Sequence, residues 1–243
     1  FNYLSAMAAE VTSGSTALAL TDGSLLMWSL TGREYPDYLL KMALDDGILK
    51  YFEKVRQAND FSTRVLLASY ISLPRSTDVI NTLRLVICPH SMADCDKYCS
   101  TSSAERPCDV LSGLRDRDLF WQHLDRFQRS DIFASQSRIS KSRYGNHQVY
   151  FFYLKLEDEV ARIEVPEWVA RDRPLLELVH SLVVDQCARG HGYPVALSEA
   201  HELAVVSGSD RDNFYRLIDE YMAGLKLSST VSAKSLSKRT RWI

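Results

Sequence analysis

Asp22, Asp116, Asp118, Tyr193 and His201 are the residues whose types and settings are suited to chemistry. Asp22 ends the apolar run Thr16–Thr21 and is followed by Gly23 and Ser24. A carboxylate at a strand end sits at a sheet edge without helix cover, and a glycine beside it lets a backbone, a phosphate or a metal come close. The same Asp-Gly pair is also an ordinary turn signal. Asp116 and Asp118 stand two residues apart on a predicted helix and so point to different faces; only one of them easily shares a site with Asp22. Asp116 also suits a helix N-cap. Tyr193 precedes Pro194, a residue that can open a helix, and His201 lies two turns further on. A histidine flanked by Ala200, Leu203 and Ala204 is, from its neighbours alone, more often a satisfied core or boundary histidine than a ligand.

A second group is rich in sulfur. Cys88, Cys95, Cys99 and Cys108 follow the spacing C-x6-C-x3-C-x8-C, with His90 among them. Zinc takes four thiolate or imidazole ligands in a tetrahedron, so these residues are a possible structural zinc site; free thiols are the alternative. Cys187 lies in an apolar helical stretch and reads as a small core residue. Five cysteines, an odd number, indicate a cytoplasmic chain and not a disulfide scaffold. A third group is basic: Arg126, Arg129, Arg138, Lys141 and Arg143 face one acid, Asp131, and the tail carries Lys226, Lys234, Lys238, Arg239 and Arg241. Arg and Lys contact phosphates without reading sequence, and they are also what a solvated loop carries.

Composition bounds the possibilities. The chain has 243 residues, 46% hydrophobic and 25% charged, with a net charge of −2. Those values exclude whole-chain disorder and a wholly basic nucleic-acid binder. No apolar run reaches the roughly 18 residues of a membrane span. Phe1–Leu20 has no basic start and no cleavage-type ending, so no signal peptide is read there. Because the chain does not open with methionine, a truncated N-terminus is expected.

These residues need elements to hold them. Thr16–Thr21 and Leu25–Leu30 read as adjacent strands joined by a tight turn. Asp37–Gln57 reads as an amphipathic helix broken near Gly47. Thr63–Ser72 is a third strand, followed by a helix carrying Val79, Ile80, Leu83 and Val86. Cys88–Asp109 has turn composition and reads as an insertion at 88–109. Arg115–Phe127 has helical spacing. Gln148–Leu156 and Val160–Val165 form a hairpin turning at Glu157-Asp158-Glu159. Pro174–Ala188, Val195–Val206 and Arg211–Leu225 are three helices with apolar faces, and 226–243 is a basic tail. The pattern is one α/β domain, 1–243, with a mixed sheet. No G-x-G-x-x-G follows a strand and there is no Walker A lysine, so neither a dinucleotide fold nor ATP hydrolysis is expected.

Taken in order, these pieces resemble the NurA family of DNA-repair nucleases. The resemblance rests on Thr21-Asp22-Gly23-Ser24, on Ser69-Tyr70-Ile71-Ser72-Leu73-Pro74-Arg75-Ser76, on Asp116-Arg117-Asp118-Leu119-Phe120 with Gln128-Arg129-Ser130, and on Gly192-Tyr193-Pro194-Val195-Ala196-Leu197-Ser198-Glu199-Ala200-His201. The last motif is the most specific. The resemblance implies a ribonuclease-H-like mixed central sheet flanked by helices and a catalytic divalent cation, manganese or magnesium. It implies Asp22, Asp116 and His201 as metal ligands, with Asp118 the rival of Asp116, and Tyr193 beside them to orient a phosphate or water. Arg129, Arg138, Lys141, Arg143, Lys238, Arg239 and Arg241 are then the DNA contacts. The family pattern also places a glutamate between the two aspartates, where this chain has Ser72; Asp78 and Glu105 are the carboxylates that follow. Either another carboxylate fills that place or the metal site is weaker.

The implied activity is 5′-to-3′ exonuclease and single-strand endonuclease in end resection, as a homodimer with a HerA-type hexameric ATPase. Carboxylate-held cations stabilise the charge that phosphodiester hydrolysis develops, so the chemistry is coherent. A non-catalytic DNA-binding or scaffold subunit with a degenerate metal site is the alternative, and a zinc-stabilised interaction module is the third.

Overall fold

The computed structural model describes residues 2–30, 35–59, 63–99, 106–205 and 207–225. The basic residues Lys226, Lys234, Lys238, Arg239 and Arg241, and Glu105, lie outside them. The chain forms two compact units, residues 1–198 and 199–243. In the first, α1 (Asn2–Ala9) leads to β1 (Thr16–Asp22) and a 3-10 turn at Trp28–Leu30; α2 (Asp37–Leu40) runs on through a π-helical stretch, Lys41–Leu49, into α3 (Lys50–Gln57). Then come β2 (Arg64–Ile71), α4 (Asp78–Val86), α5 (Cys95–Tyr98), α6 (Asp116–His123), β3 (Phe133–Ala134), α7 (Arg138–Arg143), β4 (Val149–Lys155), β5 (Val160–Pro166), α8 (Glu167–Ala170) and α9 (Arg173–Arg189). Helix α10 (Val195–Leu203) spans the unit boundary, and α11 (Gly208–Gly224) belongs to the second unit.

The described strands form one mixed sheet in the order β1-β2-β5-β4-β3. β1 and β2 are parallel, from Thr16 opposite Arg64 to Asp22 opposite Tyr70, and every other pairing is antiparallel. Parallel neighbours need a long crossover, and 35–59 supplies its helices. The expected Leu25–Leu30 strand is therefore absent. Gly23, at φ +84°, a conformation open to glycine, ends the ladder by donating to the Tyr70 carbonyl at 3.0 Å. Leu25 and Leu26 then turn under the sheet and pack with Leu44, Phe52 and Val55. Their apolarity signals burial in a loop. The break expected near Gly47 is present as non-helical backbone there.

Strand alternation divides the core. Leu20, Ala68, Tyr70, Phe152 and Ile163 line one face and pack on Leu176, Val179, Val183 and Cys187 of α9. Ala19, Val65, Leu67 and Val149 line the other. Helix α9 starts where Asp172 accepts the Leu175 N–H at 3.1 Å, with Pro174 in its first turn. The expected helix at Arg115–Phe127 stops at His123, and its capping side chain is Asp118, which accepts the Arg115 N–H at 2.9 Å. In the second unit α11 opens on a Ser207–Asp210 capping box and buries none of its described residues, so its apolar face lacks the core expected of it.

Three buried polar side chains tie these layers together. Glu164, 1% exposed, accepts from Ser24 Oγ (2.7 Å) and the Leu25 N–H (2.9 Å) through one oxygen and from Arg162 Nε (3.0 Å) through the other. Arg162, 4% exposed, also donates to Asp78 at 2.6 Å and lies 3.6 Å from the centre of the Phe151 ring. Asp116, fully buried, accepts the Ile80 N–H at 2.8 Å and the Tyr153 hydroxyl at 2.6 Å. Ile80 is the third residue of α4, so Asp116 does for α4 what Thr77 does not: it supplies a side-chain acceptor where the helix dipole favours negative charge.

Glu164→Ala leaves the buried Arg162 with Asp78 as its one carboxylate partner and strips the loop after β1 of its acceptor. We expect a loss of about 3–5 kcal/mol in denaturant unfolding, and a loss below about 1 kcal/mol would show that this network does not hold the loop. Asp116→Ala leaves the buried Ile80 N–H without its acceptor and the Tyr153 hydroxyl with Ser76 Oγ as its remaining acceptor, and is expected to cost about 1–3 kcal/mol in the same measurement, with Asp116→Asn milder because it keeps one acceptor.

Candidate functional site

The C-terminal end of β1 places Asp22 at the sheet edge, exposed and in register with Tyr70. It therefore belongs to the face that packs on α9. The turn between α9 and α10 brings Tyr193 to the same place. That turn is compressed: a Cβ on Gly190 would lie 1.9 Å from the Tyr193 carbonyl oxygen, so no side chain fits there. Gly192 continues it at φ +103° and donates to the Cys187 carbonyl at 2.9 Å. Tyr193 packs on the core edge-to-face against Tyr70, with ring centroids 5.4 Å apart. Burial together with the nearby Asp22 charge raises the pKa of its hydroxyl, so it remains protonated.

Sequence reasoning missed the group behind this pair. Tyr70 is fully buried and donates to Glu159 at 2.5 Å; Ser72 Oγ donates to the other Glu159 oxygen at 2.6 Å, and the Leu73 N–H lies 3.3 Å from it. Burial, reinforced by Glu159, drives the Tyr70 pKa far above its ordinary value, and burial pushes the Cys187 thiol up to about 12. In the sequence Glu159 reads only as part of an acidic hairpin turn. Its partner is Ser72, the position where the resemblance places a glutamate, and the β2–β5 register is what brings them together. No local sequence signal marks that pairing.

Asp116 is elsewhere. Glu164, opposite Ser69, and Arg162, opposite Tyr153, lie on the sheet face away from Asp22, and the Arg162 network runs there through Tyr153 to Asp116. Both Asp116 oxygens are committed to protein donors. Asp118 is exposed and lies 3.7 Å from Arg117. His201 is exposed, in the second unit. A hard divalent cation needs several oxygen or imidazole donors converging on one point. Among the described residues no group of three or more His, Cys, Asp and Glu does so. Asp22 is a suitable donor in kind, but the arrangement of Asp22 and Asp116 does not fit a shared cation.

The thiols do not fit a zinc ion either. Cys88, His90, Cys95, Cys99 and Cys108 line one cavity of about 420 Å³ together with Leu85 and Arg106. They remain free thiols, and no three of these groups come within ligating range. Helix α5 turns Cys95 outward, and the His90 ring stacks on Tyr98 at 4.2 Å.

The described basic residues fall in two places. Arg129 lies 5.6 Å from the centre of the Phe152 ring and donates to the Ser130 carbonyl at 3.0 Å, in a concavity shared with Glu177 and His180. Arg138, Lys141 and Arg143 are exposed on α7, with Arg143 3.4 Å from Asp37. The α7 C-cap, Tyr144, clasps the loop after β1: its hydroxyl donates to the Leu25 carbonyl at 3.0 Å and accepts from the Met27 N–H at 2.9 Å. The α7 cations and the strand end bearing Asp22 are thus tied to the same loop.

No described helix is long and apolar enough to cross a membrane. No curated protein matches the chain. Among solved structures, the NurA nuclease from Sulfolobus solfataricus is similar at a TM-score of 0.45 and 14% identity, covering 84% of this chain and 60% of that one. The chain therefore spans less than two thirds of that structure's length. The NurA domain matches residues 8–206, a span that takes in Asp22, Asp116, Tyr193 and His201. The chain belongs to the NurA family.

Proposed function

We propose that this chain, residues 1–243 acting as one nuclease domain, is a DNA nuclease dependent on manganese or magnesium. In this reading it is a cytoplasmic 5′-to-3′ exonuclease and single-strand endonuclease that works in end resection as a homodimer with a HerA-type hexameric ATPase. The observation that carries the reading is the meeting of Asp22 and Tyr193 at an exposed strand end, although they come from opposite ends of the matched family domain. The ribonuclease-H-like assignment is supported by a mixed five-stranded sheet with a carboxylate at the end of its first strand. Cation dependence and the partner rest on family membership, since the donor arrangement does not support a shared site for Asp22 and Asp116.

The chain's own residues have definite parts in this reading. Tyr193, held protonated, orients the Asp22 carboxylate. Asp22 is exposed to solvent and can take a proton from an attacking water. Arg129 and the α7 cations neutralise strand phosphates without reading bases. His201 is assigned a proton-shuttle role. Lys238, Arg239 and Arg241 extend the DNA contact.

One observation favours the alternative of a DNA-binding scaffold: Asp116, the second aspartate of the motif set, is spent on helix α4 and Tyr153. Cleavage of end-labelled single- and double-stranded DNA with manganese, magnesium or EDTA separates the two. We expect cation-dependent cutting that slows by about 100-fold or more in Asp22→Ala, the scale of a lost acid–base group, with a smaller loss in Tyr193→Phe. Both variants should unfold like the parent because Asp22 is exposed and Tyr193→Phe keeps the ring. DNA that is bound but never cut, even with the ATPase added, would leave the scaffold reading.

A further inference from the structure

We propose that Cys88 and Cys108 are an oxidative modification site: a hydroperoxide joins them in an intramolecular disulfide that ties the end of α4 to the 3-10 turn Pro107–Leu111, and a thiol reductant releases it. The proposal does not depend on the nuclease reading. Four of the five cysteines line one cavity of about 420 Å³, in an arrangement that does not fit a zinc ion. An ion pair sets two of them against each other. Arg84 of α4 lies 3.8 Å from Asp109. Cys88 follows Arg84 by one helical turn, its N–H on the Leu85 carbonyl at 3.2 Å, and residues four apart share a helix face. Cys108 is the neighbour of Asp109. Both thiols are half-buried, so they are reachable from solvent, whereas Cys95 is exposed. Arg106 holds the same turn across the cavity by donating to the Cys99 carbonyl at 2.9 Å, which makes Cys99 the rival partner.

The segment is free to make this bond. A disulfide needs its two Cα atoms within about 7 Å. Among the described residues from 87 to 115 no side chain is buried, so a small approach disrupts no core packing. The ends of the excursion are fixed: it leaves from α4 and returns at Asp116, whose N–H donates to the Ser76 carbonyl at 3.0 Å and whose carboxylate caps α4. The cross-link therefore restrains a loop that the fold already closes, and leaves the sheet as it is. The chemistry balances. The peroxide oxidises one thiol to a sulfenic acid and releases water; the second thiol attacks that sulfur, forms the S–S bond and releases a second water. Two thiols and one hydrogen peroxide give one disulfide and two waters. Accessible disulfides are the labile, regulatory ones. Cys187 is an internal control, because it is 1% exposed and burial pushes its thiol up to about 12.

The test treats the full chain with hydrogen peroxide, alkylates the remaining thiols with iodoacetamide in denaturant, and reads the intact mass and the tryptic peptides. The expected result is the loss of two of the five alkylatable cysteines, a peptide pair linked through Cys88 and Cys108, and recovery of all five after dithiothreitol. Cys88→Ser and Cys108→Ser should each abolish the link, with dimedone trapping a sulfenic acid on the surviving partner in at least one of them. Cys95→Ser should leave the link in place. Neither Cys88 nor Cys108 is in the core, so both variants are expected to fold, which circular dichroism checks. Five alkylatable cysteines after peroxide, a link through Cys99 in place of either partner, or a link between two chains would overturn the proposal.

Discussion

The pairing of Glu164 with Arg162 is the constraint on which the rest of the first unit turns. Taking two opposite charges into the interior is costly, and their mutual attraction offsets that cost only when the remaining lone pairs and N–H groups are also satisfied. Here the satisfying groups come from different parts of the chain: Ser24 and Leu25 after β1, and Asp78 at the start of α4. The carboxylate cannot be content until the loop after β1 has folded under the sheet. The guanidinium cannot be content until α4 has docked. One strand, β5, thereby dictates where two connections run.

The consequence for chemistry lies in which sheet face each carboxylate occupies. Side chains alternate along a strand, so neighbouring residues of β1 and β5 serve opposite faces. Asp22 shares its face with Tyr70, Tyr193 and Glu159, and Asp116 joins the network on the other. Two aspartates that a motif list sets side by side thus have different physical tasks. A carboxylate capping α4 in the dry interior is stabilised by the helix dipole and a phenol, whereas one at a strand tip faces water and can exchange partners. Motif membership does not separate these tasks; the register does.

Much of the scaffold was legible because it depends on local pattern. The apolar, β-branched and aromatic run Val149–Leu154 and its partner Val160–Val165 read as a buried hairpin and are one. The α9 helix and the break at Gly47 followed from spacing and from a residue with poor helix propensity. Leu25–Leu30 misled because apolarity reports burial and not conformation: the segment is buried through Leu25 and Leu26, yet its shape is set by Glu164, 139 residues away. The site was legible in part for the same reason. Asp22 and Tyr193 carry local signals, a glycine after the first and a glycine and proline around the second. Glu159, Tyr70 and Gly190 act through partners that only the folded sheet and the α9–α10 turn bring near.

The anchoring of the loop after β1 also links the order of a surface loop to the buried charge beneath it. Ser24 is at once a donor to a buried charge, an acceptor for its own loop and the support of the Trp28 indole. A surface aromatic on a free loop would swing among rotamers, and ordering it would cost entropy. An aromatic tied to the sheet core has already met that cost during folding, where it is shared with the burial of Leu25 and Leu26. That segment is held both by Glu164, at Ser24 and Leu25, and by Tyr144, at Leu25 and Met27.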